Sequence, residues 1–210
     1  MVIFIPIKEH SERVPNKNFR YLDGEKLYLR QINKFRKYFH VYVDTDSNEI
    51  YNKINKLNNV TVYYRKKELV GDDISVNSLI SDFISKFNIK DYICQIHVTS
   101  PFLNVETIKN IKLENFDSIF SCNIIQSRAW KEDKNDIVPI NHNPMFLKKT
   151  QDLSKIYVEN SAFYIFSATS FVKYKNRLGE KCNFIEIKFP ENVDIDTEDD
   201  WELVEKIVNL

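Results

Sequence analysis

Glycine is scarce in this chain, with three among 210 residues. Few sharp reversals can therefore rely on its conformational freedom. Cysteine is as scarce: Cys94, Cys122 and Cys182 are odd in number and widely spaced, which argues against a disulfide framework or a zinc site. Cys94 and Cys122 lie in apolar, strand-like runs and are read as buried free thiols. Charge of one sign is not in excess, since thirty Lys and Arg balance thirty Asp and Glu, so nothing favours a nucleic-acid or membrane-surface partner. No apolar run approaches the roughly eighteen residues that span a bilayer. The N-terminus lacks a charged segment followed by a long apolar core, and a cytoplasmic protein is expected. The Gly-x-x-x-x-Gly-Lys pattern of a Walker loop is missing, as are internal repeats and low-complexity tracts.

What is present is an alternation. Strand-like runs occur at Val2–Ile5, Val41–Asp44, Val60–Tyr64, Tyr92–Val98, Ser118–Cys122, Ser161–Ser167 and Cys182–Lys188. Helical spacing fills most gaps, at Leu27–Phe39, Ser47–Leu57, Ser75–Phe87, Val105–Leu113 and Glu198–Val208. Strands and helices in this rhythm predict βαβ units and a mostly parallel α/β sheet in one domain spanning 1–210. The pattern weakens over about 127–159, which reads as a polar excursion from the sheet, a small lobe or dimer arm. Thr197, with Asp200 three residues on, predicts the capped start of the last helix.

Asn192-Val-Asp-Ile-Asp-Thr-Glu-Asp-Asp-Trp201 places Asp194 and Asp196 two apart. In an extended segment both face one side while Ile195 turns to the core. Two hard oxygen ligands suit a magnesium ion that keeps part of its water shell. The alternative is a surface turn whose acids favour the N-terminus of the following helix. At the other end of the chain, a basic loop leaves the first strand, where α/β sheets commonly bind phosphate. Lys8, Ser11, Arg13, Lys17 and Asn18 are its polar residues, stiffened by Pro6 and Pro15; Glu9 and Glu12 leave open an ordinary solvated loop. His97, Thr99 and Ser100 follow the fourth strand and are placed to meet a ligand, although a lone histidine satisfied by backbone is the rival for His97. Asp44-Thr45-Asp46 mimics the Asp-x-Asp metal motif of glycosyltransferases but reads better as a strand-to-helix loop with Ser47 as N-cap.

In their order, Ile5–Asn18, Val43–Ser47, Arg65–Asp73, Thr99-Ser100-Pro101, Gln151-Asp152-Leu153, Asn160–Tyr164 and Val193–Trp201 resemble the acylneuraminate cytidylyltransferases, the CMP-sialic acid synthetases. The resemblance runs from about Val2 to Val208. It implies a Rossmann-like fold, a homodimer, magnesium as cofactor, and transfer of CMP from CTP to a small acidic sugar with release of pyrophosphate. It implies that Lys8, Ser11, Arg13, Lys17, Asn18, Arg65 and Ser75 contact nucleotide. It places His97, Thr99, Ser100, Lys149, Gln151, Asn160 and Tyr164 at the acceptor, and Asp194 and Asp196 at the metal, with Lys17 beside them in catalysis. Trp130 and Phe146 are candidate dimer anchors. The chain departs from the family pattern at Glu12, where a lysine is usual, at His97, where a glutamine is usual, and at Thr150, where an arginine is usual. The charge that meets an acceptor carboxylate is then expected from Lys149, Lys148 or Arg128. Other acceptors, among them Kdo, legionaminate, pseudaminate or a phosphonate, and glycosyl transfer through Asp44 and Asp46 are the alternatives.

Overall fold

A computed structural model describes residues 1–209. In chain order the elements are β1 (Val2–Ile7), β2 (Tyr21–Leu22), β3 (Glu25–Lys26), α1 (Leu27–Phe35), β4 (Val41–Thr45), α2 (Asn48–Ile54), β5 (Val60–Tyr64), α3 (Val76–Phe87), β6 (Tyr92–Ile96), α4 (Val105–Lys109), β7 (Ser118–Ile125), β8 (Trp130–Asp133), β9 (Asp136–Pro139), β10 (Ile156–Ser167), α5 (Ala168–Tyr174), β11 (Cys182–Glu186) and α6 (Glu198–Val208). Seven strands form one sheet in the order β11-β7-β10-β6-β1-β4-β5. Every pairing in it is parallel except the two made by β10.

The central strands are apolar on both faces because both faces are covered. Ile3, Ile5, Val41, Val43, Cys94, Ile96, Phe163 and Ile165 meet α1, α2 and α4 on one side. Phe4, Ile93, Tyr164 and Phe166 meet α3 and α5 on the other, where the Phe4 and Phe83 rings stack 4.6 Å apart. Each such buried side chain stabilises the fold by about 1.5–3 kcal/mol relative to exposure. A third, smaller cluster of Leu22, Leu27, Ile195, Trp201 and Val204 docks α6.

Pro6 shapes the middle of the sheet. The β1–β4 ladder runs to Ile7 opposite Thr45, whereas the β1–β6 ladder stops at Phe4 opposite Gln95. Proline has no N–H to donate, so it sits where a ladder ends. The strand order also reverses between β1 and β6, so a crevice opens at the carboxyl ends of these two strands.

Two features lay beyond the sequence reading. β10 runs antiparallel, and its register against β7 shifts between Glu159 and Tyr164, where Ser161 takes a left-handed φ of 59°. Ser121 Oγ repairs the interrupted ladder by accepting from Phe163 N and donating to Phe163 O. The stretch expected as an excursion carries the β8–β9 hairpin. Where glycine is short, Asp23 joins Gly24 in the two-residue β2–β3 turn, both with positive φ, as a type I′ turn requires. Cys94 and Cys122 are buried and Cys182 is exposed.

The loop from Lys175 to Lys181 is fixed by close approach at Gly179. A Cβ there would lie 2.4 Å from Asp117 Cβ and 2.7 Å from Ser170 Oγ. Ser118 Oγ accepts from Gly179 N, and Asp117 accepts from Lys181 N. Gly179→Ala is therefore expected to destabilise the chain by about 1–3 kcal/mol through overpacking. Chemical denaturation should show the lower midpoint, and an unchanged midpoint would mean that the loop yields freely.

Candidate active site

The crevice between β1 and β6 holds a cavity of about 280 Å³ whose lining includes Pro6, Lys8, Ser11, Glu12, Arg13, Lys17, Asn18, Arg65, Asp72, His97 and Thr99. Two segments remote in sequence close it. The first is the loop after β1. Its otherwise polar run contains Val14, fully buried, which anchors the middle. Asn18 Nδ2 donates to Lys8 O at 2.8 Å and staples the two ends. The second is the turn after β6. α1 pins it from behind: Gln31 Nε2 donates to Ser100 O, and Lys34 Nζ donates to Pro101 O and Leu103 O. Burial lowers Lys34 to about 8.

The Asp194–Asp196 segment comes alongside. Ile195 is fully buried, and its N–H donates to Thr99 O at 2.9 Å, so the two flanking carboxylates turn the other way. Asp196 Oδ1 meets Arg13 at 2.7 Å and Lys17 at 4.0 Å. Asp194 Oδ1 is buried with no hydrogen-bond partner. Burial raises the Asp194 carboxyl above the usual range, with the Thr99 side chain and Lys17 pulling it down and Asp196 pushing it up. Lys17 Nζ donates to Ile195 O; burial lowers its affinity for a proton while Asp196 and Asp194 restore part of it. An orphaned buried carboxylate oxygen, a second carboxylate and a lysine thus meet at one corner. That donor set fits a hard divalent cation. Among the described residues no group of three or more His, Cys, Asp or Glu is arranged for a metal, so such an ion would complete its shell from water and substrate oxygens.

The helix-capping expectation for this segment also holds. Thr197 and Asp200 cap α6 reciprocally, and Arg20 ties α6 to the first loop through a bidentate pair with Glu198 at 2.6 Å and its guanidinium over Trp201.

Asp44 and Arg65 form a buried pair behind the cavity. The Asp44-Thr45-Asp46 segment therefore offers no metal site: Asp44 is held by Arg65, and Asp46 Oδ1 accepts from Glu9 N. Ser47 stands at the N-cap position of α2 but its hydroxyl donates to Glu9 Oε1, not to the helix. Lys8 pairs with Asp72 at 2.5 Å. Glu12 lies against Asp72, which raises its carboxyl, while Lys8 and Arg13 oppose that shift.

The remaining sequence candidates, like Asp194 and Asp196, are not among the cavity's lining residues. Ser75 caps α3 by accepting from Asn77 N. Ser100 is buried, its Oγ unpaired. Lys149 and Gln151 are exposed beside β10, with Gln151 O accepting from Gln126. Asn160 Nδ2 donates to Asn123, and the Tyr164 hydroxyl donates to Glu159 Oε2 at 2.7 Å. Of the cations expected near an acceptor, Arg128 donates to Lys148 O on the exposed excursion. The cation beside Tyr164 is instead Arg177, 3.7 Å above its ring. Sequence reading missed Arg177, Gln95 and Asp72; Arg177 lies in a loop with no periodicity, and nothing local marks it.

A cavity rimmed by lysine and arginine thus lies at the switch point of an α/β sheet, with paired carboxylates close to one of those lysines. A cytidylyltransferase family model matches residues 2–210, and the chain belongs to that family. It is 30% identical over 209 residues to N-acylneuraminate cytidylyltransferase A of Danio rerio, covering 94% of this chain and 48% of that protein. It is 30% identical over 176 residues to the 3-deoxy-manno-octulosonate cytidylyltransferase of Wigglesworthia glossinidia brevipalpis, covering 76% and 70%. It is 27% identical over 224 residues to the CMP-N,N'-diacetyllegionaminic acid synthase of Legionella pneumophila, covering 98% and 95%. The chain spans about half the length of the zebrafish protein and of the Streptococcus agalactiae N-acylneuraminate cytidylyltransferase it matches. In fold it is similar to a CMP:2-keto-3-deoxy-manno-octonic acid synthetase solved with CTP, at a TM-score of 0.66 and 12% identity over 99% of this chain and 98% of the other. No helix among the described residues is long and apolar enough to cross a membrane.

Proposed function

We propose that the chain transfers CMP from CTP to an acidic sugar, a 2-keto sugar acid of the sialic acid type, and releases pyrophosphate. The observation that carries this reading is the orphaned Asp194 oxygen, with Asp196 two residues on and within 4.0 Å of Lys17, a lysine that lines the cation-rimmed cavity. The acceptor hydroxyl attacks the α-phosphorus, the bond from that phosphorus to the bridging oxygen breaks, and pyrophosphate leaves with the electron pair. Such a reaction rests on positioning and charge neutralisation. Lys17, Lys8 and Arg13 take up the negative charge of the β- and γ-phosphates. Asp196, the more exposed carboxylate of the pair, takes the hydroxyl proton. Asp194 and Asp196 would hold a magnesium ion, which supplies Lewis-acid neutralisation of phosphate charge when bound.

The protein is further proposed to work in the cytoplasm as a homodimer. Met145, Phe146 and Leu147 are 84%, 72% and 83% exposed on the excursion after β9, an apolar run that a two-fold partner would cover. Burial of Trp130 and Phe146 in that interface predicts a dimer by light scattering at micromolar concentration; a monomer there would remove the interface.

The decisive assay is pyrophosphate release with each of the four nucleoside triphosphates against a panel of sugar acids. Release is expected with CTP and a carboxylate-bearing 2-keto acid, N-acetylneuraminate being a secondary substrate because His97 and Thr150 depart from the sialic acid pattern. Sugar transfer from a nucleotide sugar without pyrophosphate would overturn the reading.

A further inference from the structure

Three side chains behind the cavity form a directional chain. Arg177 Nη1 donates to Gln95 Oε1 at 2.7 Å. Gln95 Nε2 lies 2.7 Å from His97 Nε2. Gln95 is fully buried, so it cannot turn to solvent. Arg177 is held in place by its stack on Tyr164 and by the close-packed loop around Gly179. Among the described residues it makes no ion pair.

The direction follows from what each group can do. A guanidinium only donates, so it binds the amide oxygen of Gln95 and not the nitrogen. That fixes the otherwise ambiguous amide orientation. The amide nitrogen then faces His97, and it too only donates. His97 Nε2 must accept, which leaves the ring proton on Nδ1. A doubly protonated imidazole would oppose donor to donor. His97 lines the cavity, and no protein group among the described residues bonds its Nδ1.

We propose that Arg177 and Gln95 are positioning residues that lock His97 as the neutral Nδ1–H tautomer, so that it offers the cavity a donor and no acceptor. Its ligand is a hydrogen-bond-accepting oxygen of the sugar acid, a carboxylate or carbonyl oxygen. The glutamine that the family resemblance places here would offer both a donor and an acceptor, so the relay narrows what this position admits. The charges facing His97 agree. Burial lowers it to about 4, with Arg177 from the α5–β11 loop and Lys17 from the loop after β1 adding to the shift, and Asp196 from the segment before α6 opposing it.

The substrate half of this inference rests on the cytidylyl-transfer reading; the tautomer half does not. The test is long-range ¹H–¹⁵N NMR of the full chain labelled at its four histidines, with His97 assigned by its loss in His97→Gln. The wild type should show the Nδ1–H pattern at pH 7. Arg177→Met, checked for an intact fold by circular dichroism, should shift His97 toward Nε2–H or a mixture. It should also raise the acceptor KM about tenfold while the KM for CTP stays within about twofold. Arg177→Lys, which keeps a donor, should recover part of both effects. An Nε2–H or charged His97 in the wild type overturns the relay. A changed tautomer in Arg177→Met with an unmoved acceptor KM overturns the substrate half. Absence of any turnover with CTP would instead sink the transfer reading and leave the NMR result to judge the relay alone.

Discussion

Replacing Asp194 by asparagine is expected to abolish most turnover while leaving the fold at least as stable as before. The two effects share a cause. The carboxylate is buried, one oxygen has no protein partner, and burial raises its affinity for a proton. The folded state thus holds that proton more tightly than the unfolded chain does. Stability from this group falls as pH rises from the ordinary carboxylate range through the raised folded-state value, above which the cost is fully present. Asparagine removes the buried charge and with it the cost, but it also removes the anionic ligand at the corner where phosphate and metal would meet. A loss on the order of a hundredfold or more in kcat is expected, with an unchanged or higher melting temperature. Near wild-type turnover at saturating magnesium would end the assignment of Asp194 to the reaction. A fall in melting temperature would mean that Thr99 and Lys17 outweigh the burial cost.

The second large effect concerns Asp44 and Arg65. Asp44 is completely buried and Arg65 is 9% exposed, and no other carboxylate pairs with Arg65 among the described residues. Asp44→Ala strands a guanidinium in the interior. Breaking a buried pair on one side costs about 3–5 kcal/mol, a large part of a typical domain's margin. Equilibrium urea unfolding should show this as a shifted midpoint. The double variant Asp44→Leu/Arg65→Met should recover most of the loss, because no charge is then left unpaired. It should not recover nucleotide binding, since Arg65 lines the cavity. Equal stability of single and double variants would show that Arg65 finds water once Asp44 is gone.

The central parallel strands were legible because they are buried on both faces and read as nearly unbroken apolar runs, as Val2–Ile7 does; the edge strand Val60–Tyr64 and the helix Glu198–Val208 also lie where periodicity places them. Helix ends were less legible. Leu27–Phe39 was expected as one helix, but α1 stops at Phe35; the apolar spacing continues beyond it because Phe39 still packs on the core. The direction of β10 could not be read, since strand polarity leaves no mark on alternation. Nor could its first half, where Tyr157 and Val158 are exposed. α5, Ala168–Tyr174, was missed because only Ala168, Ser170 and Phe171 of its seven residues are buried. At the site, the loop after β1 and the Asp194–Asp196 segment announced themselves as clusters. Asp72, Gln95 and Arg177 did not, because each earns its place through a partner more than sixty residues away.

The cations that line the cavity are already paired within the protein itself. Lys8 already holds Asp72, Arg13 holds Asp196, Arg65 holds Asp44, and Lys17 sits between a carbonyl and Asp196. A triphosphate bound here would therefore exchange one set of counter-charges for another instead of meeting bare ammonium and guanidinium groups. Fewer small ions are displaced than the tally of basic residues suggests, so nucleotide affinity should decline only gently with ionic strength. Discrimination would then fall to whatever the internal carboxylates cannot imitate: the base, the ribose and the chain of linked phosphates. Inorganic phosphate, which brings charge and nothing else, is expected to be a poor competitor for such a pocket.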